Sequence, residues 1–261
     1  MSETSNATTV SGTSTIDTKS VNPFSNILLT VLLLITVGLI YADYQTPLTG
    51  NTFLTNIYLY IIFGLLFIAF VSNFTQLSQI TAPENLWKMV LLYFIMAFGG
   101  MSIMAMGGLY ISHVGFLLML VGISLLIGSV YRYGTNIAWA AIVTAIIMGA
   151  LTVFVFMSSE QTIMSMKNWA PYLLWILLGV IVIQLIMIIF KVQISNELYN
   201  IMNILIIILF VFFILSDTSR ILVKSKDLKC ETHTCVNYPM ESTSLILDYL
   251  NIFIRLVRGR K

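Results

Sequence analysis

The sequence predicts an all-α protein, a polytopic transmembrane helix bundle of seven spans plus a short C-terminal helix open to a re-entrant reading. Three observations carry this. Of 261 residues, 58% are apolar and only 9% charged. The apolar residues gather into runs of membrane-crossing length, and all four tryptophans fall near the predicted ends of those runs, where amphipathic rings favour the interface. A soluble fold with so few charges could not cover its surface, whereas hydrocarbon requires no such cover.

Residues 1–22 are rich in Ser and Thr, carry no apolar run and read as a disordered tail, too poor in burial to offset the entropy of ordering. The tail is polar rather than basic, and no small-residue cleavage site comes after it, so the first span is expected to be retained. The bundle occupies residues 23–257, and residues 258–261 form a basic tail. A helix needs roughly 20 residues to cross the hydrocarbon, and backbone groups unsatisfied in lipid make helices the default. Seven runs qualify, at 24–42, 53–71, 86–110, 114–131, 137–157, 172–190 and 198–215. An eighth, 244–257, has only 14 residues and is expected to dip in or cross. Thr81, Pro83 and Glu84 read as a capping box ahead of the third run. The link between the third and fourth runs falls at Ile111, Ser112 and His113, unless the glycines at 99, 100, 107 and 108 break the helix instead. Ala97, Gly100, Ala105 and Gly108 share one helical face and would admit a neighbouring backbone; the methionines between them read as packing.

Charge excludes several functions. Thirteen basic against eleven acidic residues leave no nucleic-acid footprint. Two cysteines and two histidines cannot form a disulfide framework and scarcely furnish a metal centre. With His113 and His233 remote in sequence and no nucleophile beside a base, an intramembrane hydrolase is disfavoured; the chain reads as no enzyme, with no cofactor required.

Most charges fall in links, but two acids stand apart. Asp217 ends the seventh run, and Asp248 lies inside the last. An intramembrane acid costs at least ~2.5 kcal/mol on insertion scales, so it is usually paired or lines a wet cavity. Wound as a helix, Ser244, Asp248, Asn251, Arg255 and Arg258 form one polar stripe, which faces either headgroups or the bundle interior. Asp217 alone could merely cap the next segment of the chain.

These residues carry a resemblance. Asp217-Thr218-Ser219-Arg220-Ile221-Leu222 resembles the aspartate-threonine-glutamine-arginine-isoleucine-leucine stretch closing the penultimate helix of the transmembrane Bax-inhibitor-motif, or lifeguard, family. Leu245, Leu247, Asp248, Asn251 and Phe253 are similar to that family's final-helix pattern, L-x-L-D-x-x-N-x-F. The two motifs lie about thirty residues apart near the C terminus, with a basic tail behind them. The resemblance implies a seven-helix bundle in which Asp217 and Asp248 form a hydrogen-bonded, proton-sharing pair near a central pore, supported by Thr218, Arg220 and Asn251. Two touching carboxylates cannot both ionise cheaply in a low dielectric, and losing the shared proton opens a negative, oxygen-rich site suited to calcium. It further implies a pH-sensitive calcium leak channel of the endoplasmic reticulum, Golgi or plasma membrane that restrains cell death. The expected partners are the lipid bilayer, calcium ions and other membrane proteins. A non-transporting scaffold acting through protein partners is the rival. This chain differs from the family pattern in carrying Ser216 for tyrosine and Ser219 for glutamine, in lacking a basic residue in 53–71 to latch the carboxylates, and in having eight apolar segments.

The Lys and Arg bias orients the chain. If the last segment crosses, the sides carry eight and five basic residues with the N terminus on the richer side; if it dips in, nine face four, with the 220–229 loop and C terminus together in the cytosol. The second arrangement is the expected one. Cys230 and Cys235 with His233 lack a fourth zinc ligand, and they stay free thiols in the cytosol or pair in an oxidising compartment. Asn6 and Asn73 match the glycosylation pattern.

Overall fold

The computed structural model describes residues 23–75, 85–133, 137–190 and 195–258, and these contain helices and no strand. In order they are α1 (Pro23–Tyr44), α2 (Gly50–Thr75), α3 (Leu86–Ala105), α4 (Leu109–Tyr133), α5 (Ile137–Met157), α6 (Glu160–Lys167), α7 (Ala170–Ile189), α8 (Asn196–Lys226) and α9 (Tyr238–Arg258). Helices α1 to α5 and α8 are long and apolar enough to cross a membrane, and α6 with α7, bent by 40° at a short break, makes a seventh. The Ser/Thr tail, the capping box at Thr81, Pro83 and Glu84, and the basic residues 259–261 lie outside the described residues.

Four boundaries differ from the sequence reading, each for a physical reason. The break between α3 and α4 falls at 106–108, not 111–113, because Gly107 and Gly108 both take the left-handed conformation (φ +78° and +85°) that side chains disfavour. His113 therefore lies inside α4. Helix α8 runs past Leu215 to Lys226, so Asp217 is a mid-helix residue and caps nothing; Ser195 caps the other end, accepting from the Leu198 amide at 3.3 Å. The amphipathic helix α6 was not legible as a span, being only eight residues long and polar on one side; Ser159 caps it. Helix α9 starts at Tyr238 and has 21 residues, not 14.

That length changes the role of α9. It runs antiparallel to α8 from the Arg220–Glu241 contact at one end to Asn203 at the other, whose side-chain amide donates to the Arg255 carbonyl at 3.1 Å. Helices α2, α4, α5 and α8 surround it, and Leu245, Ile246, Ile252 and Phe253 are buried among Phe53, Ile57, Phe116, Leu120 and Ile214. Too polar to face lipid, α9 is instead covered by protein, as intramembrane polar helices must be. The outer helices α1 and α7 expose Leu34, Ile35, Leu174, Trp175 and Ile183, a lipid-facing surface.

Helices α3 and α4 make the closest approach. A Cβ on Gly100 would stand 2.5 Å from the Gly115 carbonyl oxygen, and one on Gly115 would stand 2.6 Å from that of Gly100. Gly122 meets Met96 and Ala97 in the same way. Of the small-residue face expected on α3, Ala97 and Gly100 serve this contact, whereas Ala105 and Gly108 are exposed.

Candidate functional site

The helical period brings Phe210, Phe213 and Asp217 of α8 to one side, opposite Ser244, Leu247, Asp248, Asn251 and Arg255 of α9. Helix α7 lines the third side with Leu174, Leu177, Val180, Ile181 and Gln184, and the three border a cavity of about 430 Å³ that opens to the surface. The polar stripe of α9 thus turns inward rather than to headgroups.

Both aspartates line this cavity. Asp248 is 5% exposed, and its Oδ2 has no hydrogen-bond partner among the described residues. Asp217 faces Arg220, with Oδ1 3.7 Å from Nε, and interacts with the Ser244 hydroxyl. The two carboxylates are therefore held differently: one in a polar cluster, one buried and under-satisfied. A buried carboxylate oxygen without a donor is costly unless a proton, water or cation meets it.

Among the other expected residues, Asn251 lines the cavity while its amide donates to the Leu247 carbonyl at 2.8 Å, which leaves its side-chain oxygen as the donor atom a cation would use. Arg220 bridges α8 to α9 at the cavity's end. Thr218 is buried but not among the lining residues, and its hydroxyl, with those of Ser216 and Ser219, has no hydrogen-bond partner among the described residues. Sequence reasoning missed two contributors. Gln184 is a lone amide in an apolar run, and Glu241 lies seven residues before Asp248, on the same face, just outside the apolar run that defines the stripe. Glu241 is 9% exposed and pairs with Arg220 (Nη1 to Oε2, 3.0 Å) and with Lys224.

The donor set is oxygen-rich and suits a hard cation. No group of three or more His, Cys, Asp or Glu residues able to hold a metal occurs among the described residues, so a cation here would complete its shell with amides, hydroxyls and water. The zinc reading of the 230–235 loop does not stand. Cys230 and Cys235 are joined as a disulfide, and both ring nitrogens of His233 are engaged, Nδ1 with the Tyr238 hydroxyl at 2.7 Å and Nε2 with the Thr46 carbonyl at 3.1 Å.

An all-helical architecture with six or seven candidate crossings, and with Asp217 and Asp248 lining one cavity beside its last two helices, defines a polytopic integral membrane protein. The sequence model of the family described as inhibitor of apoptosis-promoting Bax1 matches residues 50–259, and the chain belongs to that Bax-inhibitor family. The family is generally non-enzymatic. No curated protein and no solved structure matches the chain.

Proposed function

We propose that this Bax-inhibitor protein is a pH-sensitive calcium leak channel or sensor of an intracellular or plasma membrane, through which it modulates cell death. Asp217 and Asp248 share a proton at low pH and present a negative, oxygen-rich site when it is lost. The observation that supports the reading is the cavity between α7, α8 and α9, which both aspartates line and in which Asp248 Oδ2 lacks a protein donor among the described residues. A shared proton supplies that donor, and a calcium ion replaces it. Calcium is cargo in this reading, since two carboxylates with amides and hydroxyls make a site weak enough to release it.

Proteoliposomes with an enclosed calcium indicator test the proposal. Wild-type flux is expected to rise as pH increases and the shared proton leaves. D217N and D248N, which keep shape and remove charge, should each lower flux several-fold and flatten that pH dependence. Unchanged flux in both variants would instead support the non-transporting scaffold, in which the carboxylates only help the helices pack.

A further inference from the structure

We infer that Glu241 is a positioning residue for the paired-aspartate site, acting by holding Arg220 off Asp217. The inference rests on the reading of that pair as a calcium site. Arg220 spreads its three nitrogens over three partners: Nη1 is 3.0 Å from Glu241 Oε2, Nη2 donates to the Ser244 hydroxyl at 3.3 Å, and Nε stands 3.7 Å from Asp217 Oδ1. The guanidinium therefore lies closer to the acid across the helix seam than to the acid one turn away on its own helix. Glu241 takes Arg220 on one oxygen and Lys224 on the other. Both cations of this seam are thus gathered on one buried carboxylate beside the cavity, which leaves Asp217 facing Asp248 with less positive charge against it.

Little else can substitute for Glu241. Helices α2, α5 and α7 carry no acidic or basic residue. On α6, Glu160 pairs instead with Lys226 at 3.5 Å, farther along α8. At the other end of the cavity, Arg255 stands against Asn203. If Glu241 loses its charge, the nearest remaining anion for Arg220 is Asp217. A cation drawn onto Asp217 repels a second cation and occupies its oxygens.

The test measures calcium flux into proteoliposomes against calcium concentration, separating half-saturation from maximal flux. E241Q is expected to raise the half-saturating concentration about fivefold, the scale of one partly exposed ion pair, and E241D should restore it. R220Q should move half-saturation the opposite way, and E241Q made in the R220Q background should add no further shift. A lost salt bridge with only a structural role would lower maximal flux or protein yield without these opposed shifts. Should E241Q fail to fold, R220Q alone decides: unchanged or raised half-saturation overturns the inference. Unaltered flux in D217N and D248N removes the underlying reading. Altered flux there with an unmoved E241Q curve removes only the role of Glu241.

Discussion

His233 shows how much a single side chain organises in this bundle. Its two ring nitrogens join the Tyr238 hydroxyl on α9 to the Thr46 carbonyl between α1 and α2, and the Asn56 amide of α2 approaches Nδ1 at 3.3 Å while also donating to Asp43. The network places a proton on Nε2, because a carbonyl can only accept. Tyr238 stacks on Tyr60, with ring centroids 5.8 Å apart, and the Tyr60 hydroxyl meets His113 Nε2. The two histidines, 120 residues apart in sequence, thus flank one aromatic cluster in the structure. H233A should strand Tyr238, Asn56 and the Thr46 carbonyl, at a cost of about 2 kcal/mol. Thermal unfolding in detergent should then drop by roughly 4–8 °C for a chain of this size; an unmoved midpoint would show that the network contributes nothing net. Asp217 and Asp248 were legible in the sequence because an acid in an apolar run demands an explanation. The histidine cluster was not, since a single buried histidine leaves no periodic trace, and Glu241 was hidden because it precedes the apolar part of its helix.

At the level of elements, hydropathy locates the helices and misjudges their ends. It stops α8 at Leu215 because Ser216 to Arg220 are polar, yet these residues stay helical where they are covered by α9. It shortens α9 for the same reason. The glycine pair at 107 and 108 is legible as a breaker only as an alternative, since φ is not written in composition. Packing of α3 on α4 gives the clearest test at this scale. G100A places a methyl group within 2.5 Å of the Gly115 carbonyl, a backbone atom that cannot swing aside, whereas G99A meets nothing within 4 Å. Both changes raise helix propensity equally, so their difference isolates the interhelical contact. G100A should cost about 1–3 kcal/mol and lower the monodisperse yield in detergent, while G99A leaves both unchanged. Equal behaviour of the two would mean that the helices are not in contact at this glycine.

For the whole molecule, whether α9 crosses determines which face the C terminus shares, and its length permits a crossing. Twenty-one residues at 1.5 Å each cover about 31 Å, enough to cross the hydrocarbon, and the contacts with α8 extend along most of that length. If α9 crosses, the expected arrangement, with the C terminus and the 220–229 loop together in the cytosol, gives way to the one in which they lie on opposite sides. Six helices, or seven with α6 and α7 counted as one crossing, pass the length and hydropathy test; a crossing α9 would bring the total to eight and put both termini on one side. That side carries Lys19, Lys88, Arg132, Lys191, Arg255, Arg258, Arg260 and Lys261, against Lys167, Arg220, Lys224, Lys226 and Lys229 opposite. On that eight-crossing arrangement the positive-inside bias predicts cytosolic termini and a 227–237 loop on the opposite face, where an oxidising compartment would permit the Cys230–Cys235 disulfide. The same arrangement would put the sequon at Asn73 on the cytosolic side, and Asn73 is held in α2, donating to Asn26 at 3.2 Å. An impermeant maleimide should therefore label Cys230 and Cys235 only after reduction, and only from the non-cytosolic face, and glycosidase treatment should not change the mobility of the protein. Labelling from the cytosol without reductant would reverse the orientation and leave the bundle itself intact.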